Sequence, residues 1–157
     1  MIKAEGLMKK YGKRTVLKGV DIEVDRKEIV GLLGPNGAGK TTAFSLLLGL
    51  ISSDGGSVSL DGVSLQGWPM YRRARAGIAF LPQESSIFRG LTVEENLLAV
   101  LETRREKGFS PHGAARQLME RFGLLALARQ LSSTLSGGEK RRLEIARALA
   151  LSPSYLF

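Results

Sequence analysis

In the first third of this 157-residue chain, Gly34-Pro35-Asn36-Gly37-Ala38-Gly39-Lys40-Thr41-Thr42 constrains the fold more than any other stretch. It matches G-x-x-x-x-G-K-[ST], a pattern that becomes a phosphate cradle when a strand precedes it and a helix follows. Glu28-Ile29-Val30-Gly31-Leu32-Leu33 is a near-continuous apolar run and predicts a strand buried on both faces of a parallel sheet. Ala43-Phe44-Ser45-Leu46-Leu47-Leu48 predicts a buried helix that starts near Lys40 and stops near Gly49. Phosphate oxygens need several N–H donors converging on one point, so the backbone must curl tightly; Gly34, Gly37 and Gly39 permit that path because they lack a Cβ. The helix directs its positive dipole end at the same point. Lys40 is expected to reach the outer phosphates of a nucleotide, and the Thr41 hydroxyl to coordinate Mg²⁺. The plain alternative is a glycine-rich turn before a core helix.

A second stretch, Leu135-Ser136-Gly137-Gly138-Glu139, runs into Lys140-Arg141-Arg142-Leu143-Glu144-Ile145-Ala146-Arg147-Ala148-Leu149. Ser136 and Glu139 have the spacing of a capping box. A cap explains Ser and Glu but not two adjacent glycines, which bring backbone N–H groups against something close. With both motifs in this order, the chain resembles the ATP-binding cassette (ABC) ATPases, whose signature is L-S-G-G-[EQ].

The resemblance spans the whole chain and implies an α/β fold: a P-loop NTPase core with an inserted helical lobe, the C-terminal strands missing. The core lobe is expected at about 1–82 and 138–157, and the helical lobe at about 83–137. ATP and Mg²⁺ are the implied cofactors. By the same resemblance Tyr11 stacks on adenine, while Gly34, Asn36, Gly37, Gly39, Lys40, Thr41 and Thr42 bind the nucleotide. Gln83 approaches the metal and the attacking water, so Lys40 and Gln83 carry the catalytic assignment, and Thr41 and Gln83 the metal. Ser136, Gly137 and Gly138 meet the γ-phosphate held by a second copy, which implies a head-to-tail homodimer. A surface tyrosine and a solvent-facing loop glutamine are the plain readings of Tyr11 and Gln83. His112, the sole histidine, lies upstream of the family's switch position and is assigned no role beyond an exposed helix start.

Pro69 to Ile78 and Leu81 to Asn96 are also similar to the lipopolysaccharide-export branch of that family. This implies that Ser85 to Arg89 lines a groove for transmembrane subunits, with Phe88 as the apolar contact and Arg89 the polar one. The expected function is therefore an ATP-hydrolysing transporter subunit on the inner face of the cytoplasmic membrane. Absence of cysteine suits a reducing compartment, no apolar run approaches the ~18 residues of a membrane span, and no secretory segment opens the chain. Net charge of +8 favours anionic partners. Arg72, Arg73, Arg75, Arg104, Arg105 and Lys107 thus keep open a nucleic-acid-acting ABC ATPase, although no heptad run or second P-loop supports it.

Strands are predicted at Ile2–Glu5, Val16–Val24, Val58–Leu60 and Ile78–Leu81, with a polar turn over Lys9–Arg14. Helices are predicted at Arg72–Ala76, Thr92–Arg105, His112–Phe122 and from the signature to Ala150. Ser154–Phe157 reads as the opening of a buried strand. The family's next residues are a metal-site Asp and a Glu that polarises water, so the 157-residue chain is expected to be a fragment that binds nucleotide without turnover.

Overall fold

Strand β1 (Ile2–Tyr11) shows how local chemistry sets the first sheet. Ile2 and Ala4 point inward at period two, and then Leu7 is buried, one residue out of phase. A bulge between Ala4 and Leu7 absorbs the extra residue, with Gly6 at φ 58° in the left-handed region that a side chain resists. The partner strand approaches so closely there that a Cβ on Gly56 would lie 2.3 Å from the Gly6 carbonyl oxygen.

The computed structural model describes residues 1–104 and 106–157. Its elements are β1, β2 (Arg14–Val24), α1 (Lys40–Leu48), β3 (Gly55–Leu60), β4 (Val63–Ser64), α2 (Met70–Arg75), β5 (Ile78–Ala79), α3 (Val93–Leu101), α4 (Pro111–Arg121), α5 (Gly137–Leu149) and β6 (Tyr155–Leu156). The chain forms two compact units, Met1–Ile78 with Phe157, and Ala79–Leu156.

The first unit contains a four-stranded antiparallel sheet in the order β2-β1-β3-β4. Its core is Ile2, Ala4, Leu7, Leu17, Val58, Leu60 and Leu65 together with Ala43 and Leu46–Leu48 of α1. The expected Lys9–Arg14 turn shrinks to Gly12-Lys13, because the ladder continues to the Tyr11–Arg14 pair. The strand expected at Glu28–Leu33 is not formed. Ile29 is 99% and Leu33 93% exposed, where burial on both faces was expected. An apolar run becomes a strand only through ladder partners, and among the described residues none pairs with 28–33. Phe157 belongs to this unit and meets the Phe44 ring edge-on at 6.0 Å.

The second unit is helical, apart from the short β5–β6 ladder that its first residue, Ala79, helps to form. Val93, Leu97 and Leu101 recur at helical spacing on α3 and pack with Ala115 and Met119 of α4 and Leu143 and Ala146 of α5. Helix α3 ends at Leu101, short of the predicted Arg105, which lies outside the described residues. No helix among the described residues is long and apolar enough to cross a membrane.

Two capping boxes start α3 and α5. Thr92 Oγ1 accepts from the Glu95 amide while Glu95 accepts from the Thr92 amide, and Ser136 with Glu139 repeats the arrangement. The backbone and hydroxyl of Thr92 hold the Glu95 carboxyl below its ordinary 4.5. The hydroxyl and amide of Ser136 do the same for Glu139. Because these folded-state pKa values are depressed, their stabilisation is fully present above the unfolded value of 4.5 and is lost as pH falls through the lowered values. Urea midpoints are expected to be flat above that pH and to drop below it. Thr92→Ala should cost about 1 kcal/mol at neutral pH and shrink the acid-side drop.

Candidate functional site

The phosphate-type loop is built in the first unit. Gly37 (φ 80°) and Gly39 (φ 92°) both occupy the left-handed region. At Gly39 the constraint is double: a Cβ would meet Leu17 Cδ2 at 2.7 Å and Val16 Cγ1 at 3.3 Å. Glycine here lets the chain press on β2 and turn directly into α1. Beyond it, the amides of Lys40, Thr41 and Thr42 have no acceptor among the described residues, whereas the Ala43 amide already bonds to the Gly39 carbonyl at 2.8 Å. Three unclaimed donors at the positive end of a helix are an arrangement that can receive an anion.

Lys40 Nζ folds back over this curl and donates to the Gly34 carbonyl at 2.5 Å and the Pro35 carbonyl at 2.7 Å. An ammonium has three protons, so one remains for an incoming oxygen. The Thr41 hydroxyl is exposed and has no partner among the described residues. One such oxygen suits Mg²⁺, which keeps several waters and takes phosphate oxygens for the rest. Asn36 sits exposed at the loop's outer turn, and Thr42 is half-buried. Tyr11, at the end of β1, is 52% exposed, and Lys9 Nζ lies 5.6 Å from its ring centre. The first unit therefore holds Tyr11, Gly34, Asn36, Gly37, Gly39, Lys40, Thr41 and Thr42.

The second unit holds Gln83, Ser136, Gly137 and Gly138. Gln83 is exposed on the loop after Pro82. Ser136 caps α5, and Gly137 and Gly138 form its first turn. Neither glycine has a positive φ, and a Cβ on either would meet nothing within 4 Å. No backbone or packing demand among the described residues explains them.

The segment Ser85–Arg89 is pinned from behind by residues that motif reading passed over. Asn96, fully buried, accepts the Phe88 amide at 2.8 Å and donates to the carbonyls of Phe88, Leu91 and Thr92. Ser132 Oγ donates to the Phe88 carbonyl at 2.8 Å. Glu144 accepts the Ser86 amide and Arg141; burial pushes its carboxyl up, but hydrogen bonds from Ser85, Arg141 and Ser86 outweigh this and leave it below 4.5. Arg147 donates to the Ser86 carbonyl and hydroxyl and lies 4.8 Å from the Phe88 ring centre. Phe88 nonetheless stays 48% exposed, and Arg89 is exposed beside it. The available signal was polarity on core faces: Asn96 falls within the Val93–Leu97–Leu101 stripe, and Glu144 between Leu143 and Ala146.

The basic residues that kept a nucleic-acid reading open have separate local surroundings. Arg73 is buried, Arg104 pairs with Glu106 at 2.8 Å, and Arg72 lies 3.9 Å from the Trp68 ring centre. Arg105 lies outside the described residues. His112 is exposed at the start of α4, with Nδ1 3.5 Å from Glu94.

The fold and these two turns define a P-loop NTPase cassette. A solved ATP-binding cassette of an ABC transporter, in its ADP conformation, matches with a TM-score of 0.85 at 26% identity, over 99% of this chain and 66% of that one. The family model described as ABC transporter matches residues 17–157, and the chain belongs to this family. It is 51% identical over 153 residues to an uncharacterized ABC transporter ATP-binding protein of Rhizobium meliloti, covering 98% of this chain and 57% of that protein. It is 48% identical over 159 residues to the lipopolysaccharide export system ATP-binding protein LptB of Haemophilus influenzae, covering 99% of this chain and 65% of that protein. The Escherichia coli protein of the same name is 46% identical over 154 residues, with 98% and 64% covered. The chain thus spans 57% to 65% of the length of these curated relatives.

The two glycine sites should respond oppositely to a methyl group. Gly39→Ala is expected to destabilise the chain by about 1–3 kcal/mol through strain and overpacking. Gly137→Ala should leave stability within about 1 kcal/mol of wild type, or raise it, since alanine favours a helix. Paired urea denaturation curves check both; equal losses would refute the contrast.

Proposed function

We propose that this chain binds Mg-ATP, and that the whole protein is the ATP-hydrolysing subunit of an ABC transporter whose substrate is lipopolysaccharide. The observation that carries the reading is the pair Gly137-Gly138. Nothing among the described residues uses their small size, which favours a surface that another body approaches closely. The proposed body is the triphosphate on a second copy's Gly34–Thr42 loop, in a head-to-tail dimer.

In this reading the amides of Lys40, Thr41 and Thr42 hold phosphate oxygens, and the free proton of Lys40 adds a charge-assisted bond. Thr41 Oγ1 offers the protein ligand to Mg²⁺, which when bound supplies charge that offsets that of the phosphates. Tyr11 would present its exposed ring to the adenine base, and Gln83 would help to hold the metal and orient the attacking water. The exposed Phe88 ring, with Arg89, receives a transmembrane subunit, which would hold the protein on the cytoplasmic face of the membrane. Identity of 46–48% to the LptB proteins supports lipopolysaccharide as the cargo.

Lys40→Ala should abolish ATP turnover and transport by the whole protein and raise the nucleotide Kd of this chain, with folding unchanged because the ammonium hydrogen-bonds only within its own loop among the described residues. Undiminished hydrolysis in that variant would refute the site. Phe88→Ala should leave nucleotide affinity intact yet weaken co-purification with the membrane subunits; unchanged co-purification removes the docking role.

A further inference from the structure

Arg73 is buried, at 6% exposure, and has no carboxylate partner among the described residues. Its guanidinium is instead spent on four backbone carbonyls. Nη1 donates to Leu46 at 2.9 Å and Leu47 at 2.7 Å, Nη2 to Leu65 at 2.9 Å, and Nε to Trp68 at 3.1 Å. Leu46 and Leu47 lie in the last turn of α1, where a cation meets the negative dipole end; the Leu46 carbonyl also accepts the Gly49 amide at 3.1 Å. Burial lowers the Arg73 pKa, so the fold holds a desolvated cation at some cost.

The helix end is shaped for this side chain. Gly49 closes α1 at φ 73°, and a Cβ there would fall 2.7 Å from Arg73 Nε and 2.9 Å from the Trp68 carbonyl oxygen. Helix α1 has nine residues, so its first amides lie about 13 Å from this anchor. Over that lever a tilt of about 5° moves them by about 1 Å, enough to misalign donors on a phosphate.

We propose that Arg73 is a positioning residue for the nucleotide: by clamping the C-terminal carbonyls of α1 to Leu65 and Trp68, it sets the angle at which the N-terminal amides and Lys40 meet the phosphates. This rests on the phosphate reading of Gly34–Thr42. It accounts for a buried cation with forked donors, where an apolar side chain would fill the space without desolvating a charge. Lysine lacks the fork and has three donors for four acceptors.

Calorimetric titration of the 157-residue chain with Mg-ATP tests it, because stoichiometry reports the folded fraction separately from Kd. Arg73→Met should raise Kd about tenfold at unchanged stoichiometry, Arg73→Lys should recover part of the loss, and Arg116→Met on the surface of α4 should change nothing. Wild-type Kd in folded Arg73→Met, or a loss confined to stoichiometry, overturns the proposal. If wild type gives no binding heat and Lys40→Ala is indistinguishable from it, the phosphate reading fails and the proposal falls with it. If wild type binds, Lys40→Ala does not, and Arg73→Met binds normally, only the Arg73 role is lost. Should Arg73→Met not fold, ¹⁵N NMR of the wild type decides: Mg-ATP must slow solvent exchange of the Arg73 Nε proton, and an unchanged rate overturns the role.

Discussion

At Gly39 the chain enters α1 through a left-handed residue while lying flat against Leu17 and Val16 of β2, and that contact aims the helix. A side chain at this point would force either the loop off the sheet or the backbone out of its turn. With the methyl group absent, the first amides of α1 emerge together beside the Lys40 ammonium. Geometry of this kind costs no rearrangement when an anion arrives, which is why such sites bind tightly without many side chains. The same unit holds Leu7 in its core through a bulge in β1, and the Arg73 guanidinium bonds the carbonyls at the helix's far end.

In both units buried polar groups whose partners are mostly backbone hold particular segments in place. Arg73 bonds carbonyls at four places, and Asn96 ties down the turn that carries Phe88. Apolar packing alone tolerates sliding, because it is non-directional. A forked guanidinium or an amide accepts one arrangement and leaves buried groups unsatisfied in others. Ser85–Arg89 has neither helix nor strand, yet Glu144, Arg147 and Ser132 each reach it.

Much of the cassette was legible because its parts are local. Gly37, Gly39 and Lys40 specify a turn and a helix start within a few residues, and Ser136 with Glu139 forms the capping box that their spacing required. Helices expected from Thr92 and from the signature to Ala150 form as α3 and α5, the first ending at Leu101. Long-range dependence is what the residues could not display. Glu28–Leu33 has the composition of a central strand, but strand formation depends on neighbours, and Ile29 and Leu33 stand in solvent. Arg73 looked like one charge among several; only folding places it under α1. Asn96 was hidden for the same reason, since its acceptors lie in a turn without regular structure.

The solvent-facing Ile29, Val30 and Leu33 have a consequence for handling this polypeptide. Backbone donors and acceptors flanked by sticky side chains are a template for intermolecular pairing, and the propensity grows with protein concentration. Dilute, cold preparations with modest denaturant or a capturing peptide should outlast concentrated stocks. Turbidity in such stocks would then originate in these few residues, without any loss of order in the helical unit.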